Sequence, residues 1–351
     1  MPLVSLRQIL DHAADHDYGL PAFNVTNLET IHAVLQAADK TKSPVIIQAS
    51  QSARAFIDNV FLKHLIRASV ERYPHLSICF HQDHGSSPEV CEKAMDLGFS
   101  SVMMDGSLKA DGKTPSDFAY NVDVTARTVQ SAHLKGVSVE GEIGVLGSLE
   151  TGSGEQEDGH GFEGQLGKEE LLTDPEEAAR FVEATGVDAL AVAIGTSHGA
   201  YKFSKKPTAE TLAMAVIEAI HGRLPNTHLV MHGASSVPEE LQELINEFGG
   251  EIQPAFGVPL EEIVRGIKSG VRKVNIDTDL RMAFTGAVRR YLSENRASFD
   301  IRGILKPSIA RMRAECELRF EMFGCAGQVE KIKPLTLEQM AKSYQSVGYR
   351  R

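Results

Sequence analysis

Residues 77–85 read SICFHQDHG: a short run of β-favouring apolar residues gives way, with no spacer, to Gln82, Asp83, His84 and Gly85. An apolar run of this length reads as a strand buried on both faces, and the polar cluster falls at its C-terminal end. The same layout recurs on either side. PAFNV at 21, VIIQAS at 45, SVMMDG at 101, VSVEGEIG at 137, ALAVAIG at 189, HLVMHG at 228 and VRKVNID at 271 bring the strand candidates to eight. Amphipathic stretches alternate with them, including LETIHAVLQAADK, PEVCEKAMDLG, PEEAARFVEATG and VPEELQELINEFG, several with a proline start and a glycine stop.

Eight strand-helix units of this kind favour a closed parallel (β/α)8 barrel, a TIM barrel of the α/β class, over an open doubly wound sheet. No GxGxxG or Walker motif supports the open sheet. Two segments exceed a minimal barrel. Residues 145–168, VLGSLETGSGEQEDGHGFEGQLGK, are too long for an ordinary connection, so a functional lid or a disordered loop is expected after strand five. Further on, IARMRAECELRFEMFG has helical periodicity and predicts a C-terminal extension packed on the barrel or on a partner subunit. The expectation is one domain over 1–351, with the barrel over about 1–295 and the helical tail over about 296–351.

Composition narrows the function classes. Of 351 residues 42% are hydrophobic, and no run approaches the roughly 20 apolar residues of a membrane span. The opening MPLVSLRQILDHAADH meets charges too early for a secretory segment, which predicts a cytoplasmic protein. Four cysteines without C-x-x-C spacing make a disulfide framework or thiolate zinc site a poor reading. A net charge of −11 speaks against a nucleic-acid or membrane surface, so an anionic substrate needs local amides, a few cations and a metal.

Barrel enzymes carry their chemistry at the C-terminal ends of the strands. Here strand four ends in Asp105 and Gly106, strand five in Glu140, Gly141 and Glu142, and strand six in Gly195 to Gly199. Strand seven ends in His232 to Ser236, and strand eight in Asn275, Asp277, Thr278 and Asp279. His84, His198 and His232 occupy equivalent places, each just past an apolar strand and just before glycine. Three imidazoles with an open fourth position make a catalytic zinc site, although a lone histidine there more often caps a strand. Asp83 is placed to move a proton beside the metal, or to orient a ligand instead. Asp105 and Glu142 form a second cation site or pair as rim carboxylates. Gly199 and the run Gly233-Ala234-Ser235-Ser236 let backbone amides approach an anion, or simply form tight turns.

Taken together, HQDHG at 81, SVMMDGS at 101, VEGEIG at 139, AIGTSHGAYK at 193, HLVMHGASSVP at 228 and VRKVNIDTD at 271 resemble the signature segments of class II fructose-bisphosphate aldolases. They stand in the same order over most of the chain. FGCAGQVEKIKP at 323 resembles the longer form of that family, found in carbon-fixing bacteria. The resemblance implies reversible cleavage of fructose 1,6-bisphosphate to dihydroxyacetone phosphate and glyceraldehyde 3-phosphate, with sedoheptulose or tagatose bisphosphate as alternative substrates. It implies zinc on His84, His198 and His232, Asp83 as the base, and Asp105 and Glu142 at an alternative metal position. Gly199, Lys202, Gly233 and Ser235 would bind phosphate, Asn275 would stabilise the enediolate, and Asp277 and Thr278 would complete the substrate contacts. Ser50 matches a residue near the second phosphate, and Glu157 or Glu155 the proton-transferring acid of the long loop. A second divalent cation, a monovalent cation and a homodimer or homotetramer are further expectations.

Two checks are internal to the residues. Strand six, ALAVAIGTSH, offers no lysine for a Schiff base, which leaves metal chemistry. A metal-dependent barrel hydrolase is the rival, but strand one, PAFNVTN, lacks the H-x-H of such enzymes.

Overall fold

The computed structural model describes residues 3–144, 171–196 and 213–346, with Gly147, 153–154, 164–165, Phe203 and Pro207 between them. Eight strands form the barrel: β1 (Leu20–Asn24), β2 (Val45–Ala49), β3 (Ile78–Gly85), β4 (Ser101–Met104), β5 (Ser138–Ile143), β6 (Ala189–Val192), β7 (His228–Met231) and β8 (Val271–Ile276). All neighbours are parallel, and β1 pairs with both β2 and β8, so the sheet closes. Every strand residue is buried, because the barrel interior covers one face and the helices the other. The expected TIM barrel is the fold found.

Local signals place the helices. Asn27 and Thr30 form a reciprocal capping box for the helix Leu28–Thr41. Ser87 caps Pro88–Leu97, which stops at Gly98 in the left-handed region (φ +104°), and Asp174 and Gly186 do the same for Pro175–Thr185. The N-terminal helix Leu6–Asp15, which the strand pattern leaves unassigned, buries Leu6, Ile9 and Leu10 and packs against β5, β7 and β8.

The C-terminal extension packs on the barrel. Its helix Ile301–Met322 lies against Leu28–Thr41 and Thr278–Glu294 and buries Met312, Cys316 and Phe320. Phe320 meets Phe23 of β1 edge-on at 5.4 Å. From the long loop after β5, only Gly147 and an antiparallel pair, Ser153–Gly154 with Gly164–Gln165, fall among the described residues. Among those residues no helix is long and apolar enough to cross a membrane, and all four cysteines are buried thiols.

Candidate active site

The site begins with an irregularity in β3. In a regular strand Asp83 and His84 would face opposite sides. The β3–β4 register slips between Gln82 and Gly85, and His84 adopts a left-handed conformation (φ +46°) that non-glycine residues rarely take. Asp83 consequently reaches Asn24, Gln48 and Asn275, while His84 reaches Asp105, Glu142 and His232. Both side chains serve one rim, at a backbone cost of about 1–3 kcal/mol. Gly85 has to be glycine, since a Cβ there would sit 2.6 Å from the Met103 carbonyl oxygen.

His84 Nε2 faces His232 Nδ1 at 3.1 Å. Two nitrogens bound to one tetrahedral ion at about 2.0–2.1 Å would stand roughly 3.3 Å apart, so this spacing suits a shared metal. On its other side, His84 Nδ1 lies 2.9 Å from Asp105 Oδ2 and 3.6 Å from Glu142 Oε2. Burial pulls the His84 imidazolium down, but Asp83, Asp105 and Glu142 outweigh it and push the group up to about 10. Burial and the neighbouring Asp105 charge raise Glu142 well above the usual carboxylate range, and among the described residues its Oε2 has no hydrogen-bond partner. Three carboxyl groups, Asp83, Asp105 and Glu142, crowd around one imidazole, an arrangement that favours a cation. Two donor groups, Asp83-His84-His232 and His84-Asp105-Glu142, each bring their ligand atoms within 4.8 Å of one another, a donor set that fits a divalent ion.

Asp83 accepts from Asn24 Nδ2 at 2.9 Å and from Gln48 Nε2 and Asn275 Nδ2 at 3.3 Å. Burial would raise its carboxyl, yet His84, Lys273, His232 and His81 hold it below the ordinary range. It is a carboxylate at neutral pH, able to take a proton. Burial also lowers His232, whose neutral imidazole is the form that ligates.

The remaining rim positions fall around this centre. Gly233 has a positive φ (+61°) in the turn after β7, and Ser235 Oγ accepts from the Asp277 N–H at 3.2 Å. Asn275, next to last in β8, stands beside His232, with Nδ2 3.2 Å from Nε2. Thr278 opens the helix Thr278–Glu294, and Asp277 before it is held by Arg281 at 2.6 and 2.7 Å. Ser50 caps the helix Gln51–Ile57 by accepting from the Ala53 N–H. His228 opens β7 at the far end of the barrel, on Asp11. His198, Gly199, Lys202, Glu155 and Glu157 lie outside the described residues.

Four residues around the site carry no motif signal in the sequence: Asn24, Gln48, Glu140 and Lys273. All are buried. The available signal was a polar side chain in an otherwise apolar strand, two residues from a candidate in the case of Lys273 with Asn275 and Glu140 with Glu142.

Comparison with known proteins agrees with this geometry. A profile described as class-II fructose-bisphosphate aldolase matches residues 4–328. The chain is similar to the fructose-bisphosphate aldolase of Stutzerimonas stutzeri, 61% identical over 346 residues, covering 99% of this chain and 98% of that one. It is likewise similar to that of Nostoc commune, 62% identical over 344 residues, covering 98% and 96%. Among solved structures the YdjI aldolase from Escherichia coli K12 superposes with a TM-score of 0.70 at 27% identity, covering 93% and 99%. A barrel rim built around paired imidazoles and a carboxylate, matched by this profile over almost the whole chain, identifies the chain as a member of the class-II fructose-bisphosphate aldolase family.

Proposed function

We propose that this chain cleaves fructose 1,6-bisphosphate reversibly to dihydroxyacetone phosphate and glyceraldehyde 3-phosphate, with zinc held by His84, His198 and His232. The family implies a divalent metal. The observation that carries the reading is the facing pair of His84 Nε2 and His232 Nδ1 at 3.1 Å beside the ionised Asp83.

When bound, the ion supplies Lewis acidity at the substrate carbonyl. Asp83 takes the C4 hydroxyl proton, its carboxylate aimed by the three amide donors that grip it. Asn275 presents Nδ2 to the oxygen where negative charge develops, a fixed dipole that needs no reorganisation. Gly233 and Ser235, with Gly199 and Lys202, receive one phosphate, and Ser50 lies towards the other, with Asp277 and Thr278 completing the contacts. Glu157 or Glu155 returns a proton to the enediolate. Asp105 and Glu142 offer a second cation position, and a monovalent ion is a further activator.

The partner is a phosphorylated sugar, and the protein works as a homodimer or homotetramer. Exposed Phe56 (79%), Val60 (65%) and Phe61 (70%) support assembly. Triose phosphate release from fructose 1,6-bisphosphate, with tagatose and sedoheptulose bisphosphates run in parallel, tests the substrate. A rate on either alternative above that on fructose 1,6-bisphosphate would replace the assignment.

A further inference from the structure

Inside the barrel, below the rim, sits an ion pair with no place in the chemistry above. Lys273 of β8 and Glu140 of β5 are fully buried, with Nζ 3.0 Å from Oε2 and donating to Oε1 at 3.2 Å. His81 Nε2 stands 3.5 Å from the same carboxylate. A buried charge pair is often no more stabilising than apolar residues of the same volume, so packing alone does not account for it. The pair reaches the site through two further bonds. Lys273 Nζ donates to Asn275 Oδ1 at 2.8 Å, and Glu140 Oε1 lies 3.1 Å from His232 Nε2.

Each contact removes one ambiguity. An ammonium group only donates, so Asn275 must turn its oxygen to Lys273 and its NH2 to Asp83 Oδ1, 3.3 Å away. With the amide reversed, donor would face donor at Lys273 and acceptor would face acceptor at Asp83. His232 Nε2 has two neighbours that ask for opposite tautomers: Glu140 Oε1 at 3.1 Å only accepts and the Asn275 Nδ2 amide at 3.2 Å only donates, and the shorter, charge-assisted contact to Glu140 sets the hydrogen on Nε2. A neutral imidazole has one N–H, which leaves the lone pair on Nδ1, the nitrogen facing His84. His84 is set in the opposite sense by Asp105, whose bond to Nδ1 leaves Nε2 facing His232.

We propose that Lys273 and Glu140 are positioning residues for the aldol reaction, one fixing which face of the Asn275 amide meets the substrate and the other fixing the His232 tautomer that ligates metal. Neither makes or breaks a bond. This rests on the reading of His232 as a metal ligand and Asn275 as an oxyanion donor.

Histidine-ring 1H–15N correlation of the wild-type protein, zinc-loaded and zinc-stripped, reads the tautomer directly, with His232 assigned through His232→Gln. The hydrogen is expected on Nε2 in both states; a hydrogen on Nδ1 overturns the proposal. The second arm is Lys273→Met/Glu140→Gln, which removes both charges at nearly constant volume. In folded double variant, zinc affinity measured by chelator competition is expected to fall by about 10–100-fold. Its kcat should fall at least about tenfold, and KM should stay within about threefold, as expected when an interaction specific to the transition state is lost. Wild-type zinc affinity together with wild-type kcat overturns the proposal while the aldolase reading stands. A wild-type protein that neither holds zinc nor cleaves the substrate removes the reading and the proposal together. The tautomer measurement decides the matter even where the double variant does not fold.

Discussion

Replacing Arg319 with methionine should destabilise the protein by about 3–5 kcal/mol and loosen the turn after β7, although Arg319 belongs to the C-terminal extension. Its guanidinium is 1% exposed and pairs at 2.9 Å with Asp279, which is fully buried. The Asp279 carboxylate accepts from the Ser236 N–H at 3.1 Å, the Ser236 hydroxyl at 3.2 Å and the Val237 N–H at 2.9 Å, and Arg319 also donates to Ser236 Oγ at 2.8 Å. This grip holds Val237, a β-branched residue, at φ +48°, a conformation costing about 1–3 kcal/mol. Methionine fills a similar volume but leaves the carboxylate without its cation. Three neutral donors remain, which places the expectation near the lower end, about 3 kcal/mol. Adding Asp279→Asn should recover on the order of 1–2 kcal/mol relative to the sum of the single changes, because the two residues are one unit. Urea unfolding followed by circular dichroism and tyrosine fluorescence supplies the numbers, with coincident transitions as the condition for using them. KM for the bisphosphate should rise with the loosened turn. An Arg319→Met cost below about 1 kcal/mol, or strict additivity in the double variant, would show that this ion pair does not hold the turn.

Three further outcomes follow from the same geometry. Asp83→Ala should keep its zinc by elemental analysis yet lose about 10²–10⁴-fold in kcat; loss of both would make Asp83 a structural residue. Gly85→Ala should lower the thermal midpoint, since the new Cβ meets the Met103 carbonyl at 2.6 Å and overpacking of this kind costs about 1–3 kcal/mol; an unchanged midpoint contradicts the crowding. In the chelated protein His84 is raised from 6.5 to about 10, so its contribution is complete below pH 6.5 and drains away as pH rises towards 10. The urea midpoint of that form should therefore fall across this window, more steeply than in His84→Asn, and parallel profiles would speak against the carboxylate cage.

The barrel was legible because each strand is apolar on both faces while its C-terminal end turns abruptly polar, as in VIIQAS and SICFHQDHG. His84, His232, Asp83, Asp105, Glu142 and Asn275 could be named from position alone, since strand ends converge on one rim. What stayed hidden depended on direction and depth. A left-handed His84 is a local bulge with no marker in residue type. Asn24 and Gln48 each look like the frayed end of a strand, and Lys273 in VRKVNID looks like a solvent-facing charge, yet all three point inward. Arg319 sits in a helix with charges all around it, where nothing in the periodicity tells the one buried cation from its half-buried and exposed neighbours. Asp279 reads as a helix-opening acid, and only the tertiary packing of the extension reveals its partner.

Metal-dependent aldol cleavage at the rim of this barrel is tested most directly by assaying fructose 1,6-bisphosphate cleavage on the protein as isolated, after chelation, after return of zinc, and with borohydride added alongside substrate. A metal-held enediolate requires activity that chelation abolishes, zinc restores and borohydride spares; cleavage that survives chelation and dies with borohydride would mean Schiff-base chemistry instead.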